Sequence, residues 1–186
     1  MKLETERLIL RDLDKKDVED ILKNANDLEV SRYLALVPYP YSKKDAEWWA
    51  NHCIEQSGKE PREDYNLGVE FKGKIVGMIG LTGIDDFTKV ASFGLWLGKD
   101  SWRNGIMTEA AKLFFDFAFK DLGVRRINSG AYPENKASIE LHKKLGFMPE
   151  GVKRKHMRSK ATGKIHDENQ YGLIKEDWEK VRETLI

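Results

Sequence analysis

The sequence predicts a single mixed α/β domain, and three observations carry that reading. Stretches of period two and stretches of helical period follow one another in the order β-α-α-β-β-β-α-β-α-β-β-α. No linker rich in Gly, Ser or Pro divides them, and no repeat period appears. The 186 residues suit one domain, and 40% hydrophobic with 34% charged residues is a globular balance that excludes a disordered or fibrous chain. One domain is therefore expected over residues 1–186.

The elements follow in order. Residues 6–11 read as a first strand, and Asp14 caps a helix to about residue 24, with Val18, Ile21, Leu22 and Ala25 on one apolar face. Pro38 and Pro40 interrupt the chain, since proline continues neither a helix nor a central strand. Ser42 caps a second helix, with Asp45 three residues on as the shorter acid of a capping box. Ala46, Trp49, Ala50 and Cys53 line one side of it. Residues 65–71, 74–81 and 90–97 are three strands. Lys72-Gly73 makes a tight turn between the first two, so they pair antiparallel, and Asp85, Asp86 and Thr88 fill the next connection. A polar loop over 99–104 leads into a helix over 105–120. A strand over 125–131, a helix over 136–145 stopped by Gly146, strands over 147–155 and 164–173, and a helix over 176–185 complete the chain.

Composition excludes several classes. The formal charge of +1 gives no field to draw nucleic acid, so no direct nucleic-acid partner is expected. Cys53 is the only cysteine, which rules out an intramolecular disulfide and a cysteine zinc knuckle. Apolar stretches are too short to span a membrane, and Met1-Lys2-Leu3-Glu4-Thr5-Glu6 lacks the apolar core of a signal peptide. The expectation is a cytoplasmic protein with no membrane partner. His52, His142, His156 and His166 are not spaced as a metal set, so no metal is expected. The phosphate-loop, dinucleotide and zinc-protease motifs and the hydrolase elbow are all absent.

The strongest positive signal runs from Phe93 to Ala110: strand, short polar loop, Gly105, then a helix. The first amides of a helix have no intrahelical acceptor and sit at the positive end of its dipole, so they can hold a pyrophosphate. Gly105 also suits an ordinary turn, and this loop alone leaves both readings open.

A second segment, Asn135-Lys136-Ala137-Ser138 through Leu145-Gly146-Phe147, narrows the choice. Together the two segments resemble the acetyl-CoA signatures of the GNAT superfamily of N-acetyltransferases. The family loop is usually Arg or Gln, two residues, Gly, one residue, then Gly or Ala, with Trp first in one branch. Trp102-Arg103-Asn104-Gly105-Ile106-Met107-Thr108-Glu109-Ala110 is similar to that branch, which includes the ribosomal-protein N-terminal acetyltransferases. Thr5-Glu6-Arg7-Leu8-Ile9-Leu10-Arg11 and Tyr39-Pro40-Tyr41-Ser42 resemble it too, so the likeness covers nearly the whole chain.

The resemblance implies a mixed, mostly antiparallel sheet of about seven strands flanked by helices, with a splayed strand pair forming an acyl-CoA cleft. It implies acetyl-CoA as co-substrate. The backbones of Leu95, Trp96 and Leu97 would pair with the pantetheine arm, and Trp102, Arg103, Asn104, Gly105, Ile106 and Met107 would form the pyrophosphate loop. Asn135 would contact the arm, with Ser138 and Lys144 toward its phosphate or adenine end. Arg103 and Met107 depart from the family's small residues. Met107 is expected to narrow the space beside the pyrophosphate.

The implied reaction is attack of a neutral amine on the thioester, which needs a base, an oxyanion partner and an acid for the leaving thiolate. His142 stands where relatives carry a tyrosine and is the candidate acid; a partly exposed helical histidine without a role is the bland alternative. Glu70 is a candidate base, with Asp85 or Asp86 and ordered water as other routes. Tyr33, Tyr39 and Tyr41 are candidate substrate contacts, although rings beside prolines also simply pack loops. Branch resemblance implies the N-terminal α-amine of a protein as acceptor. A polyamine or other small amine, and a non-catalytic acyl-CoA sensor, are the alternatives. A homodimer is expected as a further partner by the same resemblance.

Overall fold

The chain, described over residues 1–185 in a computed structural model, forms eight strands: β1 (Lys2–Glu4), β2 (Leu8–Arg11), β3 (Tyr65–Phe71), β4 (Lys74–Thr82), β5 (Val90–Leu97), β6 (Arg126–Ala131), β7 (Met148–Arg158) and β8 (Ile165–Ile174). Ile186, the end of the span expected as one domain, lies outside the described residues. The helices are α1 (Val18–Ala25), α2 (Leu28–Ser31), α3 (Lys43–Ser57), α4 (Ile106–Lys120), α5 (Lys136–Lys144) and α6 (Lys175–Val181). All strands join one sheet in the order β1-β2-β3-β4-β5-β6-β8-β7, and only the β5–β6 pair is parallel.

Alternation along the strands sorts the side chains between two faces. On one face Leu8, Leu10, Leu67, Val69, Ile79, Leu81, Phe93 and Ile127 bury against Ala110, Phe114, Phe115 and Ala118 of α4. On the other, Ile75 and Met78 of β4 meet Ile21 and Ala25 of α1 and Ala46, Ala50 and Cys53 of α3. The apolar stripes expected on those two helices are the ones that pack, with Trp49 partly buried at the margin. Ser42 caps α3, with the Asp45 carboxylate accepting from the Ser42 amide at 2.9 Å.

Two local features differ from expectation. The first strand expected over 6–11 is β2, and a further short strand, β1, precedes it, because the Thr5 hydroxyl accepts from the amides of Arg7 and Leu8 and folds Lys2–Glu4 back onto β2. The sheet therefore has eight strands, in line with the expectation of about seven. The one-turn helix α2, capped by Asp27, was not anticipated either; four residues carry too little periodicity to register.

The placement of β5 matters most for function. It pairs with β6 only at Val90↔Arg126, Ala91↔Ile127 and Ser92↔Asn128. Beyond that point β5 continues against β4 through Gly77↔Leu97, while β6 continues against β8 through Ala131↔Asn169. The two strands separate into a V whose vertex lies at Phe93 and Ser129.

Candidate active site

The open end of the V leads to the start of α4. Gly105 is the N-cap residue with φ of +72°, a left-handed conformation that costs glycine least. Arg103 also takes a positive φ, +61°. Between them the chain curls so that, among the described residues, the amides of Arg103, Asn104, Gly105, Ile106 and Met107 have no acceptor. Five free donors at the positive end of a 15-residue helix form a nest for an anion. The Trp102 indole donates to the Leu97 carbonyl at 2.7 Å and pins the loop to β5. That bond occupies the Leu97 carbonyl expected for the arm and leaves the rest of the β5 edge open.

Met107 does not crowd the nest. Its side chain is 7% exposed and packs in the core, so the narrowing expected there is absent. A residue that motif reading passed over stands close by. Arg7 donates through Nε to Glu109 of α4 at 2.8 Å, and its Nη2 lies beside Gly105. The guanidinium thus neutralises the one acid in the first turn of α4 and adds positive charge beside the nest. Its cue was already present in the Thr5-Glu6-Arg7 opening, but nothing in the chain order connects that opening to residue 105.

At the vertex sits His142, which is 3% exposed. Its ring stacks on Tyr171 with centroids 4.6 Å apart and meets Phe147 edge-on at 4.9 Å. Nδ1 lies 2.6 Å from the Ser138 carbonyl, an acceptor only, so Nδ1 carries the hydrogen. In the neutral ring Nε2 is then an acceptor, and it faces the Ser129 hydroxyl at 2.8 Å. The same hydroxyl lies 3.2 Å from the Phe93 carbonyl across the vertex. Burial pushes the His142 pKa below its ordinary 6.5, with the Ser138 bond opposing the shift. The ring is buried rather than partly exposed, and it meets the V through the Ser129 hydroxyl. Ser129 was not singled out from the sequence at all. Asn135 caps α5 by accepting from the Ser138 amide at 3.1 Å, and Lys144 is exposed.

At the vertex, beside β6, β7 and β8, lies a cleft of about 430 Å³. Ser92, Asn128, Ser129, Gly130, Glu150, Glu168 and Gln170 are among its lining residues. Glu150 pairs with Arg126, and Glu168 accepts from Gln170 at 2.7 Å. Tyr132, just past β6, stacks on His166 at 4.3 Å, and its hydroxyl and His166 Nε2 are buried without partners. The hairpin between β7 and β8 closes on the loop before α3, where the Lys160 amide donates to the Ala35 carbonyl at 2.9 Å. This sets the hairpin against the segment that carries Tyr33 and Tyr39.

Two expected site residues lie elsewhere. Glu70 is on β3, with β4 between it and β5, and its carboxylate receives Arg11 Nε at 2.6 Å. Arg11 also clasps the buried Asp17, so Glu70 is a counter-ion inside a fixed network and not a free base at the V. Tyr41 is 7% exposed, packed with α1 and α3, and burial pushes its hydroxyl up to about 12. It is a core residue. Tyr33 lies under the Arg32 guanidinium at 5.3 Å, and Tyr39 is exposed. Among the described residues no cluster of His, Cys, Asp and Glu could hold a metal, and no helix is long and apolar enough to cross a membrane.

Comparison with known proteins places this geometry. Residues 7–148 match the acetyltransferase (GNAT) domain model. The putative ribosomal N-acetyltransferase YdaF of Bacillus subtilis is 27% identical over 181 residues, covering 94% of each chain. The spermidine N(1)-acetyltransferase of Escherichia coli K12 is 28% identical over 142 residues, covering 76% of this chain and 73% of that protein. The structure of the microcin C7 self-immunity acetyltransferase MccE in complex with acetyl-CoA and AMP superposes with a TM-score of 0.78 at 25% identity, covering 91% of this chain and 93% of that one. The free amides, the open V and the matched domain agree: this chain belongs to the GNAT acetyltransferases and is an acetyl-CoA-dependent N-acetyltransferase.

Proposed function

We propose that the chain transfers the acetyl group of acetyl-CoA to the N-terminal α-amine of a polypeptide such as a ribosomal protein. The observation that carries the cofactor half is the run of five unpartnered amides from Arg103 to Met107 at the open end of the V. In this reading those amides hold the pyrophosphate, with Trp102 fixing their loop and Arg7 adding charge. The arm lies along β5 over Leu95, Trp96 and Leu97, apart from the Leu97 carbonyl that Trp102 occupies, and Asn135, Ser138 and Lys144 meet it from the α5 side.

The acceptor half is supported by the likeness to YdaF and by the cleft at the vertex of the V, with exposed Tyr39 nearby in sequence to the loop at Ala35. Tyr33 and Tyr39 remain the proposed acceptor contacts. A small polycationic amine is the second reading, favoured by Glu150 and Glu168 in the same cleft and by the spermidine acetyltransferase relative. A second copy of the chain is the further partner we infer, in a cytoplasmic setting. Exposed Leu36, Trp48 and Val152 support it, and sedimentation would test it.

Calorimetric titration with acetyl-CoA tests the site. Gly105→Val forces a β-branched residue into a left-handed conformation, and we expect it to weaken binding at least about tenfold, since unfavourable φ costs on the order of 1–3 kcal/mol. Unchanged affinity in a folded variant would remove the nest from the site. Mass spectrometry of reactions with N-terminal peptides and with spermidine separates the acceptors. Acetylation of spermidine alone would overturn the polypeptide reading.

A further inference from the structure

Ser129 and His142 form a hydrogen-bonded pair at the vertex of the V. The Ser138 carbonyl holds the Nδ1 hydrogen at 2.6 Å, and Tyr171 and Phe147 fix the ring plane. These leave the Nε2 lone pair aimed at the Ser129 hydroxyl 2.8 Å away. Ser129 lies one residue beyond Asn128, the last β6 residue paired with β5, and it lines the cleft. Of the two groups, only the serine reaches open space; the imidazole is sealed behind it.

Direction along β5 says what would meet that hydroxyl. If the pyrophosphate rests at Gly105, the arm runs back along Leu97, Trp96 and Leu95, and its thioester end points toward Phe93, opposite Ser129. Resting on the proposed acetyl-CoA site, we propose that Ser129 is the catalytic residue that touches the reacting atoms, and that His142 acts through it as a buried proton store. As the amine nitrogen bonds to the thioester carbon, it gives one proton to Ser129 Oγ while Ser129 passes its own to His142 Nε2. As the carbon–sulfur bond breaks, the imidazolium returns its proton to Ser129, which hands one to the departing thiolate. One proton leaves the amine and one reaches the sulfur, so amide and thiol form with no other reactant. The Phe93 carbonyl, 3.2 Å from Oγ, stabilises the serine in the orientation it takes when Nε2 is protonated.

This scheme needs a neutral imidazole at the start, which burial favours. The rings packed on His142 are Tyr171 from β8 and Phe147 beyond α5, and among the described residues no carboxylate contacts the imidazole to hold a cation in the resting state. It also reassigns the position of the family's usual tyrosine: a two-residue path replaces one phenol, and the donor to sulfur moves from α5 to β6.

Ser129→Ala removes the hydroxyl and leaves the packing. It should lower kcat by about 10²–10⁴-fold, the range of general acid–base catalysis, while acetyl-CoA affinity by titration stays within about twofold. Ser129→Thr, which keeps the hydroxyl, should recover most of the rate. The kcat profile of the native enzyme should fall on the acid side through a group below the ordinary histidine range, and that limb should vanish in Ser129→Ala. Independently of turnover, nitrogen NMR of His142 should show the neutral Nδ1–H form near pH 7, and its Nε2 signal should move in Ser129→Ala. Native turnover in Ser129→Ala with acetyl-CoA still bound would overturn the relay and leave the acetyltransferase site standing. Loss of acetyl-CoA binding in Gly105→Val together with an unmoved Nε2 signal in Ser129→Ala would do the same, whereas a native protein that binds no acetyl-CoA would remove both.

Discussion

Arg7 shows how one side chain conditions a site it does not belong to by sequence. Glu109 lies in the first turn of α4, where an acid favours the helix but opposes a bound pyrophosphate. Arg7 cancels that charge and the Thr5 hydroxyl donates to the same carboxylate, so the β1–β2 turn and the start of α4 form one unit. Arg7→Ala is expected to raise the acetyl-CoA Kd about three- to tenfold at low salt, because a partly exposed pair near a helix end is worth on the order of 1 kcal/mol. The effect should shrink as salt is added, and Glu109→Gln in the same chain should reverse most of it. Equal affinity with and without Arg7 at low salt would show that the guanidinium serves only to fasten the turn.

Between elements, the staple joining α4 to the C-terminal segment is Asp116. It accepts from Trp178 Nε1 of α6 at 2.9 Å and from Arg182 Nε at 2.8 Å, with Lys120 at 3.0 Å. Burial pushes its carboxyl up, but these donors outweigh burial and bring the pKa to about 2, from an ordinary 3.8. A lowered pKa stabilises the folded state fully above the unfolded value, and the contribution is lost as pH falls from about 4 through about 2. Asp116→Asn should cost about 1–2 kcal/mol at pH 7 by urea melting and flatten the acid limb of stability below pH 4. An acid limb unchanged by the substitution would assign it to other carboxylates. Such staples also mark where the sequence was legible and where it was not. The capping box at Ser42 and the strand, loop and helix around Gly105 rest on neighbours in the chain, so spacing alone revealed them. The ties of Arg7 to Glu109, Arg11 to Glu70 and Ser129 to His142 span 102, 59 and 13 residues, and no local pattern encodes them. Glu70 read as a free base for this reason, while Tyr41 read as a substrate contact or a packed ring, and the choice between them depends on where α1 and α3 meet, which the prolines beside it do not specify.

For the molecule as a whole, the V divides the sheet into a β1–β5 part and a β6–β8 part, held by three residue pairs and by the core beneath α4. A ligand lying in the V bridges both parts, so acetyl-CoA should stabilise the entire fold. At a free concentration of about 100 times Kd the gain is about 2.7 kcal/mol, or roughly 5–10 °C in Tm for a chain of this size. ATP, which lacks the arm, should give much less; an equal shift would mean that the phosphate nest alone is felt. The unzipped stretch of β5 has one more consequence. Successive amides of a strand point to opposite sides, so from Phe93 to Leu97 every second N–H faces β4 and its alternates face the gap. Amide hydrogen exchange of the free protein should therefore read as a comb along this strand, slow and fast in turn, although every residue of it lies within a sheet. Acetyl-CoA should fill in the teeth of that comb one residue in two, and this pattern would report the arm's seat on β5 without any crystal or any turnover.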